Sequence, residues 1–161
     1  MEIRVGQGFD AHRFVPGDPI PNRPLMLATL EFESHAPLEG HSDGDVAAHA
    51  LADALLSAAN LGDLGSTFGV NRPEYAGAAG KVFLHEAHRM VTEAGWQVNN
   101  AGVQVIGQEP KLAPYYEAAE AALGKILDAP VSFAATTTDK MGFTGKKEGL
   151  AALAICLLIR V

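Results

Sequence analysis

The chain has 161 residues, enough for one compact domain with its own core and too few for two ordinary enzyme domains. Hydrophobic residues make up 48% and charged residues 19%, the reverse of the balance in a disordered chain. The formal charge is −7 with no basic stripe, which argues against nucleic acid as a partner and requires any bound phosphate to be neutralised locally.

In chain order, Ile3 to Val5 predicts a short strand leading to Asp10 and His12, and residues 15–24 a Pro-rich loop. Leu25 to Phe32 alternates and predicts a second strand. Ser42 is placed as an N-cap, with Asp45 three positions on as in a capping box. Val46, Ala47, Ala50, Leu51, Ala54, Leu55 and Ala58 then recur at helical spacing up to Asn60-Leu61-Gly62. Residues 62–80 predict a loop with little regular structure. Gly80 to Ala94 predicts a helix stopped by Gly95, Trp96 to Gln108 a strand, Tyr115 to Leu127 an Ala-rich helix and Val131 to Thr138 a strand. Residues 142–149 are a Gly-rich loop. Leu150 to Val161 fits either a helix or a fully buried strand, and is too short to span a bilayer. The expectation is one α+β domain over residues 1–161, with no membrane segment. No signal peptide is visible at the start, so a cytoplasmic location is the default expectation. Cys156, the sole cysteine, has no disulfide partner in the chain and reads as a small core residue.

Candidate chemistry falls into three places. In an extended Asp10-Ala11-His12 segment, the Asp and His side chains share a face and supply two legs of a metal site, although Asp-x-His also arises by chance. His49 supplies a third leg. Asp45 and Asp53 lie one turn before and after it, so a core histidine bonded to a neighbouring Asp is the plainer alternative. A His₂-carboxylate set leaves one zinc position open. His41 and Ser42 precede the same helix, where free N–H groups suit phosphate, but Ser42 would also cap without any ligand. The run Ala135-Thr136-Thr137-Thr138-Asp139-Lys140 offers hydroxyls for phosphate and a carboxylate for a hard cation, or simply ends a strand in a turn. His85 and His88 lack a third partner and read as surface residues. Lys146 and Lys147 read as a solvated loop.

Three segments together, RVGQGFDAH, GHSDGDVAAHALADALLSAANLGDLG and ATTTDKMGFTGKKEGL, resemble in content, order and spacing the signature segments of the 2-C-methyl-D-erythritol 2,4-cyclodiphosphate synthase family of the non-mevalonate isoprenoid pathway. The resemblance implies a four-stranded mixed sheet with helices on one face, assembled as a homotrimer with sites between subunits. It implies a lyase that closes 4-diphosphocytidyl-2-C-methyl-D-erythritol 2-phosphate into the cyclodiphosphate and releases CMP. It also implies zinc on Asp10, His12 and His49, and a second divalent ion, Mg²⁺ or Mn²⁺, on Asp139. His41 and Thr137 match positions that steady the transition state, with Ser42 beside the phosphates. Asp63, Leu64 and Gly65 match the ribose site, and Gly107, Gln108, Glu109, Pro110, Lys111, Leu112 and Ala113 the cytosine loop. Ala135, Thr136 and Thr138 match further substrate contacts. Phe143 and Lys146 match positions near the substrate and the trimer channel. The chain departs from the pattern where the family commonly has Glu (Asp139), Arg (Lys146), Ala (Gly107 and Glu109) and a Phe-Pro-Asp segment (Phe68-Gly69-Val70). Two other classes fit parts of the pattern: a zinc phosphohydrolase, and a silent protein that binds isoprenoid diphosphates in its trimer channel.

Overall fold

The computed structural model describes residues 1–17, 21–69 and 71–160. Part of the Pro-rich loop, Val70 and Val161 fall outside the described residues. Four strands form one sheet in the order β1 (Glu2–Arg13), β6 (Gly149–Arg160), β4 (Gln97–Ile106), β5 (Val131–Thr136). β6 runs antiparallel to both its neighbours, and β4 runs parallel to β5, so the sheet is mixed. The parallel pair is joined through helix α4 (Tyr116–Leu127), the crossover that two parallel strands require.

Helices α1 (Val46–Ala59), α3 (Gly80–Glu93) and α4 lie on one face of this sheet. α1 is buried along nearly its whole length, between β1 and β6 on one side and α3 on another. Its Ala content follows from that position, because little room is left around the helix backbone. Gly6 and Gly8 on β1 face it directly. A Cβ on Gly6 would lie 2.0 Å from Ala54 O, and one on Gly8 1.9 Å from Ala50 O. Cys156 on β6 completes this seam. Its Sγ lies 3.2 Å from Ala54 O, and burial raises the thiol pKa to about 11, as befits a packed core residue.

Several elements differ from the sequence expectation. β1 runs the full twelve residues instead of three, because β6 pairs with it from Glu2 to Arg13. Leu25 to Phe32 is a hairpin, β2 (Leu25–Leu27) and β3 (Leu30–Phe32), turning through Ala28 and Thr29 at φ 52° and 64°. Residues 62–80 are not featureless: α2 (Leu64–Phe68) and a 3₁₀ turn at Pro73–Tyr75 lie within them. The Gly-rich loop contains a single helical turn, α5 (Gly142–Gly145). The ambiguous last segment is a strand, but it is not fully buried, since Leu153 and Ile155 project from the uncovered face. Ile3, Val5 and Phe9 on β1 do the same, leaving an apolar sheet face open.

Because Gly8 sits where helix and strand backbones meet, Gly8→Ala forces the two apart. A loss of about 3 kcal/mol is expected in urea melts, together with weaker metal binding, since Asp10 and His12 lie on one partner and His49 on the other.

Candidate active site

Asp10 and His12 leave the end of β1 on the face that carries α1, and His49 points back from the first turns of α1. Asp10 Oδ2 lies 3.0 Å from His12 Nε2 and 3.1 Å from His49 Nδ1. One donor atom from each of the three residues falls within 4.8 Å of the others. A carboxylate and two imidazoles converging at a half-buried wall form a donor set that suits a divalent ion such as zinc. Ser42 Oγ hydrogen-bonds His49 Nε2 at 3.1 Å, so both ring nitrogens are engaged.

Burial opposes ionisation of Asp10, yet the hydrogen bonds and charges of His12 and His49 outweigh it and hold the carboxyl at about 2. Burial likewise opposes the charged form of His49, but its bond to Asp10 and the carboxylates of Asp45 and Asp43 raise its pKa. The metal-free triad therefore favours a proton where a cation can sit.

Asp45 and Asp53 accept hydrogen bonds from backbone N–H groups and not from the His49 ring. Asp45, fully buried, is the true N-cap of α1, three residues later than the expected Ser42. The chain first turns through Gly44 at φ 72°, and Asp45 Oδ1 then accepts from Ala48 N–H. The same carboxylate accepts from Ala28 and Thr29 N–H at 2.9 and 2.7 Å, fixing the left-handed turn of the β2–β3 hairpin to the helix start. Asp53 Oδ1 accepts from Leu64 N–H at 2.7 Å and anchors α2. Asp43 bridges Asp45 N–H and Gly80 N–H, joining the starts of α1 and α3.

A cavity of about 610 Å³ opens over the triad. Of the residues singled out from sequence, Asp10, His12, His41, Ser42, His49, Leu64 and Gly65 line it. Asp63 lies beside it, capping α2 through Ser66 N–H. Sequence reasoning named Asp53 only as a neighbour of His49, and Phe68 and Gly69 only as a departure from the family pattern; it missed Arg72, Tyr75, Ala76 and Phe83 as lining residues. The aromatic members meet only in the folded chain: Phe83 packs on His49 at 5.6 Å and on Phe68 at 5.3 Å between ring centres.

The remaining predicted residues gather elsewhere. Gly107 N–H donates to Thr136 O, so the loop Gly107, Gln108, Glu109, Pro110, Lys111, Leu112 and Ala113 lies against Ala135, Thr136, Thr137, Thr138 and Asp139 at the ends of β4 and β5. Lys147 Nζ pairs with Glu109 Oε2 at 3.0 Å, tying the segment that holds Phe143 and Lys146 to the same loop. Gln108 Oε1 is the one buried side-chain oxygen or nitrogen without a partner among the described residues. This second cluster shares the triad's end of the sheet but its opposite flank: three strand spacings separate β1 from β5, about 14 Å. His85 is exposed, His88 is half-buried, and neither joins a group of three ligands among the described residues.

The YgbB family model matches residues 3–159. The chain belongs to the YgbB family. It is 50% identical to the 2-C-methyl-D-erythritol 2,4-cyclodiphosphate synthase of Cutibacterium acnes, over 99% of this chain and 93% of that protein. Among solved structures, the bifunctional IspDF from Campylobacter jejuni superposes with a TM-score of 0.90 at 38% identity, covering 99% of this chain; this YgbB chain spans 43% of that longer one. A 2C-methyl-D-erythritol-2,4-cyclodiphosphate synthase in a CDP-bound form superposes at 0.86 with 34% identity, over 97% of this chain and all of that one. No helix among the described residues of this YgbB member is long and apolar enough to cross a membrane.

Two outcomes follow for the site. Asp45→Ala removes a cap and strands the hairpin amides, so it is expected to cost about 3 kcal/mol in denaturant melts. For pH, the His49 pKa is raised above its ordinary 6.5. In chelated protein its contribution is full below that value and lost as pH rises through the raised one. Metal needs the neutral ring, so affinity falls as pH drops through the same range. The melting temperature of chelated protein minus that of His49→Gln should therefore shrink with rising pH, while metal affinity, measured by chelator competition, should grow.

Proposed function

We propose that this protein converts 4-diphosphocytidyl-2-C-methyl-D-erythritol 2-phosphate into 2-C-methyl-D-erythritol 2,4-cyclodiphosphate and CMP. The carrying observation is the Asp10–His12–His49 convergence at a cavity wall, in a chain that the family model matches almost end to end. An oxygen of the substrate's own 2-phosphate attacks the β-phosphorus, the bond from that phosphorus to the bridging oxygen breaks, and CMP leaves with that oxygen. No water is consumed, and no base is needed because the nucleophile is already ionised.

The barrier is mainly repulsion between anions. Asp10, His12 and His49 are assigned to zinc, and Asp139 to Mg²⁺ or Mn²⁺. Bound there, these ions supply charge neutralisation and alignment of the phosphates. His41 and Thr137 are assigned to steadying the charge that develops at the phosphorus, with Ser42, Ala135, Thr136 and Thr138 holding phosphate oxygens. Asp63, Leu64 and Gly65 hold the ribose, and the Gly107–Ala113 loop receives the cytosine. Curling one molecule so that its two ends meet supplies much of the rate.

The assembly in this reading is a homotrimer with each site shared by two subunits, and the location is cytoplasmic. Two observations support the trimer. The triad and the nucleotide-loop cluster stand on opposite flanks of the sheet, so neighbouring copies can bring one of each together. The open sheet face presents Val5 at 63% and Ile155 at 56% exposure, apolar area suited to burial against other copies. Phe143 and Lys146 are then placed near the substrate and the trimer channel.

The test is phosphorus NMR of the product with metal content measured on the same sample. The cyclic diphosphate and equimolar CMP are expected, and His49→Ala should lower turnover by about a thousandfold or more. A linear hydrolysis product would refute the reading. In sedimentation, a mass three times that of the chain is expected, and Ile155→Asp should give smaller species with little activity.

A further inference from the structure

Two carboxylates stand in the wall of the cavity over the triad. Asp10 and Asp53 line it, and Arg72 is its only Lys or Arg among the described residues. This residue stands in the segment that sequence inspection treats as featureless. Its backbone is fixed at the entry to the 3₁₀ turn: Arg72 N–H donates to Gly69 O at 2.9 Å, and Tyr75 N–H donates to Arg72 O at 3.0 Å. Tyr75 packs against Phe68 and Phe83 with ring centres 5.0 and 5.9 Å away, and Phe83 packs against His49. Gly77 N–H donates to His41 O at 3.0 Å, which fastens the far end of the segment beside the triad. The segment is thus anchored on the metal-binding wall.

The guanidinium itself is weakly engaged. Its side-chain partner is Glu74 at 3.4 Å, with both side chains more than half exposed, a geometry in which solvent leaves little net attraction. A guanidinium matches two phosphate oxygens at once, a stronger contact than the single 3.4 Å bond to an exposed carboxylate. We propose that Arg72 is a phosphate-binding residue of this site, giving up Glu74 to close on a phosphate group of the substrate. The proposal rests on the reading that the cavity takes a phosphorylated ligand. It assigns to the chain the fixed positive charge that the cavity lining otherwise lacks.

The test compares Arg72→Gln, Arg72→Lys and Glu74→Gln in the metal-loaded, full-length protein. Turnover of the diphosphocytidyl substrate is measured, and binding of inorganic pyrophosphate is measured separately by titration calorimetry. Arg72→Gln is expected to raise KM and weaken pyrophosphate binding by about tenfold each, with a smaller change in kcat. Arg72→Lys should recover part of both losses, and Glu74→Gln should leave KM unchanged or lower it. If Arg72 served only to brace the turn through Glu74, both Gln variants would shift KM and pyrophosphate affinity in the same direction, and that result overturns the proposal. So does pyrophosphate affinity in Arg72→Gln within twofold of the parent protein. Should the parent bind pyrophosphate in an Arg72-dependent way yet release no CMP, the proposed reaction falls and the Arg72 assignment stands.

Discussion

Helix α1 rests on strand β1 with backbone against backbone, and the positions of the three candidate ligands follow from that contact. Side chains at Gly6 or Gly8 would overlap carbonyl groups of the helix. With hydrogen in their place, the helix lies close enough for His49 Nδ1 to come within 3.1 Å of Asp10. The small residues along α1 serve the same end, as does Cys156, which fits against Ala54 where a larger side chain would lift the helix. The seam contributes modest apolar area per residue. Its value is positional: it holds a donor set from two distant parts of the chain within one ion's reach.

Around this seam the carboxylates divide by partner rather than by exposure alone. Asp43, Asp45 and Asp53 spend their oxygens on backbone N–H groups and lock the hairpin, α1, α2 and α3 to one another. Asp10 alone faces imidazoles, and its depressed pKa keeps it ionised and ready to share a cation with them. Asp63, beside the cavity, is likewise committed, its carboxylate accepting from Ser66 N–H at the start of α2. Arg72 then adds a fixed opposite charge at the rim.

Much of this was legible in the sequence, for identifiable reasons. Periodicity placed α1, α3 and α4 to within a few residues, because each buries a stripe at helical spacing. The triad was legible because Asp10 and His12 alternate on a strand and His49 sits on a strongly patterned helix. What stayed hidden depends on contacts between distant segments. The length of β1 is set by β6, some hundred and fifty residues away. Asp45 displaced Ser42 as the cap because its carboxylate also serves the Ala28–Thr29 turn, a partner that local pattern cannot reveal. Tyr75 joins the cavity by stacking on Phe83, and Arg72 is carried in the same turn; no spacing within their own segment encodes that contact. The last strand could not be told from a helix because its two faces are both apolar, one against α1 and one open.

Trp96, the chain's single tryptophan, lies 2% exposed with the guanidinium groups of Arg4 and Arg160 over its ring, their carbons 4.7 and 4.1 Å from its centre. Arg160 also bonds the carbonyls of Ala94 and Gly95 at the end of α3, so indole, strand ends and helix end form one clasp. Arg4 and His12 stand eight residue steps apart, about 27 Å along β1. The indole's emission is therefore a built-in optical probe of the sheet's far margin, insulated by distance from events at the triad. A ligand or ion arriving there leaves that fluorescence quiet, whereas peeling of the outer strand from its neighbour changes it at once.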